Sequence, residues 1–198
     1  MGEVKRSVLP IVLVLLCAAG CSNAQEPEPT ENKSATTASP TYQLADGSCA
    51  TSTDADRSDA SSTARYYASI GHCWDAQTDE NTMAGVLRAK ELMSVSWYEQ
   101  QQEGSAARNA LQSQFVKAAE HQGYSVPDVN PTGGDVDQDV AADKAVRGVT
   151  TSWHWKNRDG AADISGGKDQ QIIYLEKHGG QWIVVGAQTT MTEELDNA

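Results

Sequence analysis

"QQIIYLEKHGGQWIVVGAQTTM", residues 170–191, decides the fold. Two runs rich in Ile, Val, Thr and Trp flank Gly179-Gly180, and a glycine pair accepts the positive φ angles that a two-residue hairpin turn demands. Gln170–Lys177 and Trp182–Met191 are therefore expected to be antiparallel strands. Upstream, from Ala145, the period is also two. Val149, Thr151, Trp153 and Trp155 alternate with Thr150, Ser152, His154 and Lys156, which predicts a strand with one aromatic face. The intervening "NRDGAADISGGKD" (157–169) is a polar connector.

Before residue 123 the apolar spacing is three and four. Arg57–Trp74 carries Ala60, Ala64, Tyr67, Ile70 and Trp74 on one stripe, with Asp54 or Asp56 as its N-cap. A second helix is expected from Met83 to Gln101, showing Val86, Ala89, Met93 and Trp97 on one face, with Thr78 and Asp79 suited to its entry and Thr82 as the alternative cap. A third is expected over Ser105–His121, with Ala107, Leu111, Phe115 and Ala118 in line. "YSVPDVNPTGGDVDQD" (124–139) holds two prolines and a Gly-Gly, and reads as loop with at most a short edge strand near Val126 or Val129. Three helices followed by a curled antiparallel sheet make an α+β domain, with the helices packed on one sheet face.

The chain's beginning reads differently. Lys5 and Arg6 precede an apolar run, Val8–Leu16, of nine residues. That is far short of the ~20 needed to span a bilayer, so residues 1–20 read as a signal peptide. Ala18-Ala19-Gly20-Cys21 resembles the bacterial lipobox. The resemblance implies cleavage before Cys21, its lipidation, and a protein held by acyl chains on the extracytoplasmic face of the cell membrane; an ordinary secretory cleavage is the alternative. Residues 22–56 are Ser-, Thr-, Ala-, Pro- and acid-rich, too poor in large hydrophobes to fold alone, and read as a tether of ~30 Å root-mean-square span. The domain is then residues 57–192, large enough for one core and too small for two, with an acidic tail over 193–198. The net charge of −12 and the lack of Lys/Arg clusters disfavour nucleic acid as a partner.

Of four cysteines, Cys17 falls in the signal and Cys21 at the lipidation site. Cys49 and Cys73 remain, in an exported and therefore oxidising setting, and a bridge between them is expected. It would close a loop of about 25 residues, worth ~3.5 kcal/mol on the chain-entropy model. The competing reading pairs Cys73 as a thiolate with His72. Neighbours on a helix point ~100° apart, which places His72 poorly as its base.

Asp135, Asp137, Asp139 and Asp143 could suggest calcium. The glycine and terminal glutamate of a calcium loop are replaced by Val140 and Val146, so a solvated acidic loop is expected. His72, His121, His154 and His178 lack zinc spacing. No phosphate-cradling, dinucleotide-binding or nucleophile-elbow motif occurs, and neither metal nor cofactor is expected. The five tryptophans suit core packing, or a shallow apolar groove.

The ensemble of Trp74-Asp75-Ala76-Gln77-Thr78-Asp79, Thr150–Trp155 and Ile173–Val185 resembles small actinobacterial membrane lipoproteins with an NTF2-like cone, a fold also used in conjugation machines. The resemblance covers residues 57–192. It implies a non-enzymatic accessory domain of the cell envelope with a protein partner, possible links to conjugation or secretion included. The alternative it implies is a binder or converter of a small apolar ligand in the cone. There Tyr66 or Tyr67, Asp75 and His154 would be the candidates for moving a proton.

Overall fold

The computed structural model describes residues 49–104 and 111–195. The expected lipidation site Cys21, most of the tether and Ala107 of the third helix lie outside them. Five antiparallel strands form the sheet: β1 (Tyr124–Pro131), β2 (Gln138–Ala141), β3 (Lys144–Lys156), β4 (Gly167–His178) and β5 (Gln181–Glu194). Four helices accompany it: α1 (Ala60–Gly71), α2 (Met83–Arg88), α3 (Val95–Gly104) and α4 (Gln112–Glu120). The expected α+β class is what the chain adopts.

The β4–β5 hairpin turns at Gly179 and Gly180, with φ of +58° and +84°, the backbone the glycine pair was expected to provide. Both strands run past their expected ends, β4 starting at Gly167 and β5 reaching Glu194. Glu193 and Glu194, assigned from sequence to a tail, thus pair with Lys168 and Gly167. Two register shifts, at Gln170/Gln171 and Tyr174/Leu175, bend this long hairpin.

Residues 124–139 depart most from expectation. β1 is a full strand, paired with β3 from Tyr124↔Lys156 to Pro131↔Val149. Its prolines, Pro127 and Pro131, are tolerated because β1 is an edge strand, where a missing N–H on the outer side breaks no ladder. β2 then pairs with the remaining length of β3, at Gln138↔Val146 and Asp139↔Ala145.

α1 is capped by Asp59, whose carboxylate accepts from the Ser61 and Ser62 amides, and not by Asp54 or Asp56. The expected single helix over 83–101 is two. A 3-10 turn at Lys90–Leu92 follows α2, and Met93 then bridges to β5, with the Ser94 amide donating to the Val184 carbonyl. The Ser94 hydroxyl accepts from the Trp97 amide and starts α3. Thr82, the alternative cap, makes no such bond; Asn81 accepts from the Met83 amide instead.

Cys49 and Cys73 are disulfide-bonded. The bridge draws the end of the expected tether into the fold: Ala50 is buried in the main core, and Ser52–Asp54 form a 3-10 turn. The packed chain therefore includes residues 49–56, upstream of the boundary expected at residue 57.

The core has two parts. The larger joins α1 (Ala64, Tyr67, Ala68) to Val149, Ile173, Leu175 and Val184 of the sheet. The smaller is aromatic and lies under α4, where Phe115 and Ala118 meet Trp74, Trp153 and Trp155. Trp74 stacks on Trp155 and meets Trp153 edge-on. Buried Gln114 ties this layer together, its carbonyl accepting from the Trp153 and Trp155 indoles and its amide donating to the Gly166 carbonyl. Gly167 leaves room for the Trp153 ring, which would lie 2.2 Å from a Cβ built there.

Candidate functional site

A partly open cavity of about 310 Å³ lies between the helices and the open end of the hairpin. α1 gives it Tyr67 and, at its C-cap, His72; α2 gives Met83 and Val86, and α3 Trp97 and Gln101. Trp74 and Leu111 close one side. Asp169 and Gln171 of β4 and Ala187 and Thr189 of β5 form the sheet wall.

The cavity's polar centre is His72 with Asp169. Both are buried, 4% and 5% exposed. His72 Nδ1 lies 2.7 Å from the Ala68 carbonyl, and Nε2 lies 3.0 Å from Asp169 Oδ2. The carbonyl can only accept, so Nδ1 carries a hydrogen. Nε2 and the facing carboxylate oxygen then hold one hydrogen between them. Both ring nitrogens are thus committed, and the ring is wedged between Trp74 and Trp153 with centroids at 5.3 and 5.4 Å. The other carboxylate oxygen, Oδ1, is buried without a hydrogen-bond partner, as are Thr151 Oγ1 across the ladder and Gln171 Oε1 two residues on. A buried oxygen left unpaired costs about 1–3 kcal/mol, so these oxygens are an unsatisfied polar spot at the sheet wall.

The segment that leads into the site is held by β1. The Ser125 hydroxyl donates to the His72 carbonyl and accepts from the Trp74 amide, both at 2.7 Å. Arg88 donates to the Cys73 carbonyl and pairs with Asp79. The Trp74 indole donates to the Thr82 carbonyl at 2.7 Å, fixing the ring that lines the cavity.

The candidates read from sequence separate here. Tyr67 reaches the cavity; its hydroxyl accepts from the Trp97 indole at 3.2 Å. Tyr66 is only partly buried and packs against the main core. Asp75 is not in the cavity: both its oxygens pair with Arg158 at 2.9 Å, and Oδ1 also accepts from the Gln77 amide. Its role is to hold the turn after α1 to the β3–β4 connection. His154 is exposed on the outer face of β3, opposite Trp153 and Trp155, and partial burial, then the Lys156 charge, lower its pKa. Neither serves the cavity. Cys73 is bridged, so the thiolate reading ends.

Among the aspartates of the 135–143 stretch, Asp137 accepts from the Gly148 amide and Asp139 pairs with Arg147. Among the described residues no three His, Cys, Asp or Glu side chains gather for a metal ion, and no helix is long and apolar enough to cross a membrane.

His72 and Asp169 as a pair escaped the sequence reading, which placed Asp169 in a polar connector. A signal existed. Asp169, Gln171, Ile173 and Leu175 share one phase of β4, so extending the alternation two residues upstream puts an acid on the inward face.

Burial pushes the Tyr67 phenol up to about 12, against a smaller opposing effect of the Trp97 hydrogen bond. The folded protein thus holds that proton to higher pH than the unfolded chain, whose tyrosines ionise near pH ~10. The associated stability, on the order of 2–3 kcal/mol, is complete below pH ~10 and is lost as pH rises towards about 12. Circular dichroism against pH is expected to show unfolding in that window, and Tyr67→Phe to move it upward.

Comparison with family models, with curated proteins and with solved structures returns no match. The site's own chemistry carries the functional reading.

Proposed function

We propose that the protein is a lipid-anchored, extracytoplasmic binding domain that takes a small ligand with an apolar body into the cavity of an NTF2-like cone. The observation that carries this is the cavity of about 310 Å³ walled by Tyr67, Trp74 and Trp97, with a buried His72–Asp169 pair in its wall. Small-molecule sites are typically such concavities: mostly apolar, with a few polar groups fixing orientation. The cone assignment draws support from helices laid on a bent antiparallel sheet, although the second helix is broken at Lys90–Leu92. We read a binder and not an enzyme because both nitrogens of His72 already have partners, leaving no free ring base for a substrate. Docking to an envelope protein, the other expectation, has no comparable observation behind it.

Benzyl alcohol tests the cavity. At ~0.5 kcal/mol per non-hydrogen atom it should bind the full chain with a dissociation constant near or below about 1 mM by calorimetry. Val86→Trp, which fills the cavity, should abolish binding; Asp75→Asn, remote from it, should leave binding unchanged. Binding undiminished by V86W would refute the site. Anchoring is tested separately. Cys21→Ser should move the protein from the membrane fraction to the soluble one, and an unmodified Cys21 in the mature wild-type protein, seen by mass spectrometry, would refute lipidation.

A further inference from the structure

We infer that the cavity selects a primary ammonium: its ligand is a small organic cation, an aromatic or branched aliphatic amine, held by Asp169. The inference rests on reading this cavity as a ligand site and adds the chemical class of the ligand.

Hydrogen-bond accounting comes first. The buried nitrogen donors of the wall are committed: the Trp74 indole to the Thr82 carbonyl, the Trp97 indole to the Tyr67 hydroxyl, and both His72 nitrogens to Ala68 and Asp169. What lacks a partner is oxygen. Asp169 Oδ1 is unpaired in a side chain 7% exposed, and Gln171 Oε1 is unpaired on the same face of β4. A wall whose nitrogen donors are committed, with a carboxylate and an amide oxygen open, fits a ligand that brings donors. A carboxylate accepts on both oxygens at once, so Asp169 can keep Oδ2 on His72 while Oδ1 receives the ligand.

Charge comes second. Among the described residues no Lys or Arg lines the cavity, and the basic side chain found there, His72, faces a carboxylate. An anionic ligand would be buried without a counter-charge, at large cost. A cation meets Oδ1 of Asp169, whose other oxygen His72 holds, and the rings of Tyr67, Trp74 and Trp97, whose faces attract positive charge. The net charge of −12 favours its approach.

Size comes third. Asp169 Oδ1 is shielded from solvent, so the carboxylate must turn towards the cavity to receive a head group, which must be slim and must itself donate. An –NH₃⁺ group meets both demands, whereas a quaternary ammonium has the charge and no donor.

The test titrates the full chain at neutral pH with four probes sharing one ring: benzylamine, benzyltrimethylammonium, benzyl alcohol and benzoate. Benzylamine should bind about tenfold tighter than the alcohol and the quaternary cation, with benzoate weakest, since a charge-assisted hydrogen bond is at stake. Asp169→Asn should weaken benzylamine about tenfold and change benzyl alcohol less than about twofold. Equal affinity for alcohol and amine would overturn the ligand class and leave the cavity reading standing. So would equal affinity for both cations, or a preference for benzoate. Failure of all four probes to bind would overturn both. The wild-type ranking decides the matter by itself if Asp169→Asn does not fold.

Discussion

Asp169→Ala is expected to destabilise the fold by about 3–5 kcal/mol, the usual consequence of removing one partner from a buried ion pair. The carboxylate lies 3.0 Å from His72 Nε2, and with it gone the ring, packed between Trp74 and Trp153, keeps a polar nitrogen that no other described group reaches. The loss should be shared. Combining His72→Leu with Asp169→Leu should cost less than the sum of the two single changes, by about 1–3 kcal/mol, because each single change strands the other residue. Urea denaturation of the wild type, Asp169→Ala, the two single Leu variants and their combination measures this. Additive costs, or a loss below about 1 kcal/mol for Asp169→Ala, would mean that the two side chains are neighbours and not a pair.

The second large effect concerns the disulfide. Cys49 and Cys73 are 24 residues apart, and opening their loop of about 25 residues should remove ~3.5 kcal/mol on the chain-entropy model. For a domain of this size that corresponds to a fall in Tm of about 7–14 °C. Cys49→Ala with Cys73→Ala should show it, and so should the wild-type chain under reducing conditions. Structure near the bridge sets which part loosens first. Ala50 and the Ser52–Asp54 turn depend on the bridge for their place against the core, whereas His72 and Trp74 are also held by Ser125. Residues 49–56 should therefore lose amide protection before the cavity does. A change below about 1 kcal/mol would show that those residues are held by packing alone.

The β4–β5 hairpin was legible because its signals are local: alternating apolar residues and a glycine pair whose backbone freedom the turn requires. The inward face of β3 was legible for the same reason, and Val149, Thr151, Trp153 and Trp155 are all buried. β1 was not. Its two prolines argue against a strand in general, and only its place at the sheet edge, a property of the topology, makes them acceptable. The break between α2 and α3 depends likewise on a distant partner, the Val184 carbonyl, that captures the Ser94 amide.

The site was harder still. His72 and Asp169 stand 97 residues apart, and nothing in the spacing of either points to the other. The resemblance left Tyr66 and Tyr67 as alternatives, and only the packing of α1 separates them: Tyr67 reaches the cavity and Tyr66 does not. Asp75 and His154 were chosen for their chemistry, and packing gave them other work: one pairs with Arg158, and the other faces outward. Side-chain chemistry identifies which groups could act, while burial and partners identify which do.

The most direct test of the account follows the indole N–H resonances in a ¹H–¹⁵N spectrum of the full chain during titration with benzylamine. Trp74 and Trp97 line the cavity, and Trp182 lies away from it, its backbone amide donating to the Arg57 carbonyl and its ring under Lys177. Saturable shifts of Trp74 and Trp97 with Trp182 unmoved are the predicted result. Unmoved Trp74 and Trp97 signals, or shifts confined to Trp182, would contradict it.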